Sequence, residues 1–96
     1  MADLERGRER YAEQAWASAH ESFARADRAS ALAADDLEKF AVSAYLVGRD
    51  DEYLELLQRA YHAHVAVGAG ASAARAAFWI GLRLLFRGET GHANGW

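Results

Sequence analysis

Apolar residues recur every three or four positions along most of the chain, which is the spacing of side chains on one face of an α-helix. In the segment 16–28, for example, Trp16, Ala19, Phe23 and Ala26 form one such stripe. Few runs alternate apolar and polar residues as a half-buried strand would, and no proline is present to interrupt a helix. The pattern therefore predicts an all-α fold.

The pattern divides into five helices and the opening of a truncated sixth. The predicted segments are about 3–14, 16–28, 35–48, 51–67 and 73–87, with the sixth opening near Thr90. Asp35 and Asp50 are predicted to cap the third and fourth helices, and Gly48 to end the third in the left-handed conformation. Only about two residues link these two helices, so they are predicted to form an antiparallel hairpin.

The fifth predicted helix is apolar on almost every side, which is typical of a helix buried between neighbours. It is predicted to end at Arg87 and Gly88. Two interpretations of its apolar surface stay open. The favoured one is ordinary core beneath further helices, and the other is a docking face for a partner peptide or a second copy.

The chain also contains an internal repeat. A shift of 34 residues carries Ala19, Phe23 and Ala26 onto Tyr53, Leu57 and Ala60, and Ile80, Gly81, Leu84, Gly88 and Ala93 keep the spacing in a third, partial copy. This layout resembles the tetratricopeptide repeat, a helix–turn–helix unit with a period of 34 residues. Ala77 stands where that family has tryptophan, and the proline that closes each unit is missing.

The resemblance predicts an antiparallel helical-hairpin array forming a single domain over residues 1–96. The first repeat is predicted at about 3–30, the second at about 35–68, and a partial third at about 72–96.

Three segments are similar to the N-terminal helical region of actinobacterial LuxR-type transcriptional regulators: LERGRERYAEQAWASAHESFARAD, DDLEKFAVSAYLVGRDDEYLELLQRAYHAH and AAFWIGLRLLFRGETGHANGW. The parts AYLVGRDDEY and FWIGLRLLFRGE carry most of the match. In that family further repeats and a terminal helix-turn-helix domain follow. Nothing in this segment corresponds to that domain, so the resemblance does not imply DNA binding by this segment.

Composition narrows the possible binding partners and cellular locations of the chain. A net charge of −3, with the basic residues scattered along the chain, gives no electrostatic basis for nucleic-acid binding. There is no cysteine, the charged N-terminus does not look like a signal peptide, and the longest apolar run, Ala76–Leu82, is too short to span a bilayer. We expect a cytoplasmic protein that does not associate with membranes.

No residue pattern indicates a reaction, and we expect no enzyme activity, no catalytic residues and no cofactor. His62 and His64 lie two positions apart on a helix and cannot bind one metal from the same face, so no metal site is predicted. His20 and His92 have no partner at ligand spacing. No serine stands in a nucleophile motif, and the glycines form no phosphate-binding loop.

The remaining candidate function is binding through a surface. By analogy with tetratricopeptide arrays, the first helix of each pair lines a groove, which predicts partner-binding residues on three helices. These are Tyr11, Tyr45, Phe78, Leu82, Leu85, Phe86 and, at the end of the chain, Trp96.

The sequence predicts a non-enzymatic protein–protein interaction module, the N-terminal repeat region of a transcriptional regulator. The partner is a protein or peptide, with homodimerisation expected through the C-terminal helices. The alternative is a stand-alone helical protein that self-associates through its apolar C-terminal helix.

Overall fold

The computed structural model describes the backbone of residues 2–95 and the side chains of residues 3–86. Within that backbone every regular element is helical: α1 is Ala2–Ala12, α2 is Trp16–Ala29, α3 is Ala34–Leu46, α4 is Asp50–Ala66 and α5 is Gly70–Gly95. The prediction of an all-α fold is therefore confirmed.

Each helix packs against the next one along the chain, and α1 also approaches α3. Helix α5 lies along α4. The distance from α5 to α3 is larger than the distance from α1 to α3. The core is built mainly from α2, α3 and α4, with Phe23 and Phe40 as its largest side chains. Gly7 of α1 lies directly against the ring of Phe23, where a Cβ atom would come within 2.9 Å of the ring. This is the close approach that a glycine inside the first helix predicts.

Three of the helices end in the same way. After α3, the backbone N–H of Gly48 donates to the carbonyl of Tyr45 and that of Arg49 donates to Ala44, which is a Schellman motif. Gly48 has a φ of +86°, so the predicted left-handed turn is confirmed. Gly68 repeats this arrangement after α4 with a φ of +75°. After α1 the left-handed position is held by Gln14, with a φ of +62°.

The predicted side-chain caps are wrong. The residues before α3 and α4 are Ala33 and Arg49, and neither makes a side-chain capping hydrogen bond. Asp35 and Asp50 lie inside the first turns, where an acidic residue still favours the positive end of the helix dipole. Asp36 is buried and accepts two hydrogen bonds from Arg8, at 2.9 and 2.7 Å. Its role is to join α1 to α3.

The predicted break at Arg87 and Gly88, and the separate sixth helix near Thr90, are also wrong. Helix α5 continues from Gly70 to Gly95 without interruption. A glycine inside a helix costs only about 1 kcal/mol relative to alanine, so Gly88 weakens the helix without ending it. Gly48 and Gly68 end their helices because each adopts a positive φ.

Candidate interaction surface

Helix α5 packs on α4 through small side chains. Ala73 and Ala76 are buried, and Ile80 contacts the edge of the core. These residues follow a spacing of three and four, and the two alanines let the helix backbones approach closely. One side of α5 is thereby fixed against the rest of the molecule, and the other side is left open in the described part of the chain.

The open side is strongly apolar. Phe78 and Leu85 are 60% and 59% exposed, and Trp79, Leu84 and Phe86 are about half exposed. The sequence-based expectation that α5 is buried on all sides is therefore not met among the described residues. Contiguous exposed apolar side chains of this size are characteristic of surfaces that bind another macromolecule.

An apolar cleft of about 230 Å³ lies between the end of α3, the start of α4 and the segment 79–86 of α5. Six residues line it: Tyr45, Tyr53, Trp79, Leu82, Arg83 and Phe86. The rings of Tyr45 and Tyr53 are 4.9 Å apart, and the Arg83 guanidinium lies 5.5 Å from the centre of the Tyr45 ring. Arg83 also forms an ion pair with Asp50 at the start of α4. The cleft thus combines aromatic walls with one cation whose charge is already paired.

Burial affects the chemistry of this cleft. The pKa of Tyr53 is raised above 10.0, first because burial disfavours the charged phenolate and second because Tyr45 lies beside it. Tyr53 is a neutral hydroxyl at ordinary pH with or without this shift, and it can donate or accept a hydrogen bond. An amphipathic ring of this kind suits binding of a peptide or protein surface.

The structure divides the predicted partner-binding residues into groups. Tyr45, Leu82 and Phe86 meet in the apolar cleft, and Phe78 and Leu85 lie on the adjoining exposed side of α5. Tyr11 does not join them, because its ring packs edge-on against Trp16, with centroids 5.4 Å apart. It lines a separate depression together with Asp35, Glu38, Lys39, Val42 and Arg75. Trp96 lies outside the described residues.

Sequence reasoning missed Tyr53, Trp79 and Arg83 as members of the cleft. The helical periodicity of α4 assigns Tyr53 to the core-facing stripe, whereas the structure leaves it half-buried at the edge. The short turn around Gly48 is the signal that could have identified it. An antiparallel hairpin brings the end of α3 beside the start of α4, and Tyr45 and Tyr53 occupy those two positions.

A charged network lies beside the second depression. Glu38 of α3 accepts hydrogen bonds from His64 of α4 and from Arg75 of α5, the latter at 3.0 and 3.1 Å. Asp35 is also near, and one ligand atom each from Asp35, Glu38 and His64 lies within 4.8 Å of the others. Sequence spacing along one helix misses this cluster, because Glu38 and His64 are 26 residues apart. Arg75 already balances the charge of Glu38, so the network serves to link three helices.

On the other side of α4 is a depression of about 440 Å³. Three of its charged residues, Asp27, Arg59 and Glu52, are already in ion pairs. Asp27 accepts two hydrogen bonds from Arg59, at 2.8 and 2.9 Å, and Glu52 bonds His20 at 2.5 Å. The Arg59 hydrogen bonds lower the pKa of Asp27 below 3.8. These pairs join α2 to α4 and leave the apolar cleft and α5 as the better candidates for binding.

Comparison of the chain with protein-family models, with curated proteins and with solved structures gives no match. Among the described residues no helix is both long enough and apolar enough to cross a membrane.

Proposed function

We propose that this chain is a non-enzymatic protein–protein interaction module whose binding surface is the exposed side of α5 together with the apolar cleft. The observation that carries the proposal is the run of large apolar side chains from Phe78 to Phe86, about half or more exposed at five positions. Covering each such side chain on binding gains about 25 cal/mol for every Å² of apolar surface removed from water. The charged residues of this part of α5, Arg75 and Arg83, are paired with Glu38 and Asp50. Apolar contact therefore supplies the binding energy at this surface.

The module is further proposed to be a tetratricopeptide-like array. Supporting this are the sequential packing of the helices, the approach of α1 to α3 and the 34-residue echo in the sequence. In such arrays every unit contacts its neighbours only, and side chains along one face are free to bind a partner. The resemblance to LuxR-type regulators makes the N-terminal repeat region of a transcriptional regulator the proposed setting.

A photo-crosslinking amino acid tests the interaction function. Placed at Phe86 in cells that produce the complete parent protein, it should give a discrete crosslinked product, identified by mass spectrometry. The same amino acid at Ala17, an exposed position of α2, is the control and should give none. Equal crosslinking at both positions, or none at Phe86, would contradict the proposal.

The regulator setting has a separate test in the reading frame of the parent gene. We expect further helical repeats and a terminal helix-turn-helix domain downstream of this segment. A reading frame that encodes no DNA-binding domain would contradict the proposal that this chain is part of a transcriptional regulator. It would not contradict the proposed interaction function. The stand-alone, self-associating protein would then be the better description.

A further inference from the structure

The side of α5 that faces away from α4 carries a regular seam. Ala74, Phe78, Gly81 and Leu85 follow one another at intervals of four, three and four residues. This is the spacing of the apolar positions in a two-helix coiled coil. All four residues are exposed, while Ala73 and Ala76 on the other side are buried. The seam is therefore a second packing face of α5, separate from the face that packs on α4.

Side-chain size alternates along this seam, from small to large to small to large. An antiparallel second copy, related by a two-fold axis passing between Trp79 and Ile80, would bring each large side chain opposite a small one. Phe78 would meet the second copy's Gly81, and Leu85 would meet the second copy's Ala74. A two-fold interface uses the same patch on both molecules, so it requires this self-complementarity. A parallel pairing would instead place Phe78 against Phe78.

We propose that the occupant of the exposed side of α5 is a second copy of this chain, packed antiparallel along the seam from Ala74 to Leu85. The inference deepens the proposed interaction function and rests on it. The space required is present, because a Cβ atom at Gly81 would meet nothing within 4 Å. A large side chain from the second copy can therefore approach the α5 backbone at that position.

Charge does not oppose the pairing. The charged side chains of α5 in the segment 70–86 are Arg75 and Arg83, and both are paired, with Glu38 and Asp50 respectively. The approach of two such helices therefore carries little repulsion between like charges.

The seam and the residues beside it also expose apolar area that a second copy could cover. An aromatic side chain buries roughly 150 to 250 Å² when fully covered, and Phe78, which lies on the seam, is 60% exposed. Leu85 on the seam is 59% exposed and Leu84 beside it is 50% exposed, and with Phe78 these side chains supply part of the roughly 800 Å² per partner in a standard interface. Leu82 and Ala77 beside the seam add to this area.

Light scattering on the purified chain should show a dimer that dissociates on dilution. Gly81→Gln should weaken this association about tenfold or more, because the added side chain occupies the space required by Phe78 of the second copy. The monomer should keep its fold, since Gly81 has open space around it and glutamine is a better helix former. Circular dichroism checks that fold. Ala17→Gln, on exposed surface of α2, is the matched control and should leave the dimer unchanged.

Exchanging the two central residues tests the antiparallel register. Gly81→Phe alone should weaken the dimer, because Phe78 would then meet a phenylalanine of the second copy. Combining it with Phe78→Ala restores one large and one small residue at each contact, and association should recover. Tighter association of Gly81→Phe would overturn the proposal, since it would indicate unspecific apolar contact. So would a double variant no better than the single one.

The failure of this inference differs from the failure of the proposed function. The chain could stay monomeric at its highest soluble concentration and crosslink to a different protein through Phe86. That result would contradict the proposal that a second copy binds α5, but it would support the interaction function. A monomer without any crosslink would overturn both.

Discussion

Gln14 is held in a backbone conformation that L-amino acids other than glycine adopt at a cost. Its φ is +62°, and the N–H groups of Gln14 and Ala15 donate to the carbonyls of Tyr11 and Arg10. The same hydrogen bonds end α3 and α4, where glycine stands at the equivalent position. The left-handed conformation costs a non-glycine residue about 1 to 2 kcal/mol. The end of α1 therefore contains local strain.

We expect Gln14→Gly to raise the free energy of unfolding by about 1 kcal/mol, because the strain is relieved while the turn is kept. Part of the relief is offset by the greater freedom of glycine in the unfolded chain. Chemical denaturation followed by circular dichroism measures the change. Gln58→Gly in the middle of α4 is the matched control and should lower stability by about 1 kcal/mol. Equal effects of the two variants would contradict the interpretation.

The ion pair between Asp27 and Arg59 makes stability depend on pH in a defined direction. Hydrogen bonding to Arg59 lowers the pKa of Asp27 below its usual 3.8, so the unfolded chain binds a proton more readily than the folded one. The stabilisation is fully present above pH 3.8 and is lost as the pH falls through the lowered pKa. We expect Asp27→Asn to cost roughly 0.5 to 1 kcal/mol at neutral pH. The difference from the parent chain should vanish in strong acid.

Denaturation curves of both chains at neutral and acidic pH make this measurement. Glu21→Gln, the same change of charge at an exposed position of α2, is the control and should alter stability little at either pH. A penalty for Asp27→Asn that stayed constant into strong acid would mean that shape, and not charge, is responsible.

Residues that act through the local backbone could be predicted from the sequence, and residues that act through distant partners could not. Gly48 is a recognisable helix end, and Gly7 indicates a close approach. Asp36 resembles a capping residue, but its partner Arg8 is 28 residues away on another helix. A single sequence carries no signal for that pairing. Gln14 gives no local signal either, because glutamine has no preference for the left-handed region.

At the level of elements, helical periodicity located α1 to α5, and the errors fall at helix ends and in the separate sixth helix, which is part of α5 in the structure. α5 begins at Gly70 and runs through Gly88, although glycine is a common helix end. Glycine permits a turn but does not impose one, so only the conformation distinguishes Gly88 from Gly48. Periodicity also cannot show how many sides of a helix are covered. The apolar composition of α5 predicted burial on all sides, and the described residues bury one.

The docking of α5 on α4 depends on small side chains at their contact. Ala76 is only 1% exposed, so there is no room for a larger residue. We expect Ala76→Leu to cost about 1 to 3 kcal/mol and to push α5 away from α4. Hydrogen exchange should show faster exchange of the amides of α5, while those of α2 and α3 change little. Ala71→Leu, at an exposed position in the first turn of α5 and outside the seam, is the control and should leave exchange unchanged. Uniform acceleration in all helices would instead show that the chain opens as one unit.

For the whole molecule, the sequence predicted the all-α fold and several residues of the apolar cleft and of the exposed side of α5, but not how the cleft is assembled. Tyr45, Leu82 and Phe86 come together as one wall, whereas Tyr11 is drawn away by its contact with Trp16. That division depends on where α5 lies relative to α3. Crossing angles and separations of helices are set by packing over the full contact, which the order of residues does not state.

The arrangement of the core predicts that α1 to α4 can fold without α5. The central cluster lies in residues 19–60, and among the α5 side chains that the structure describes, those up to residue 86, only Ile80 packs against it. In an array where units contact their neighbours, stability is nearly a sum of local terms, so removing a terminal helix removes only its own interface. We expect a fragment of residues 1–69 to remain helical and to unfold cooperatively at a lower temperature than the full chain. It should also be monomeric by light scattering, because the seam on α5 is gone. A fragment that is unfolded at room temperature would show that α5 is part of the core.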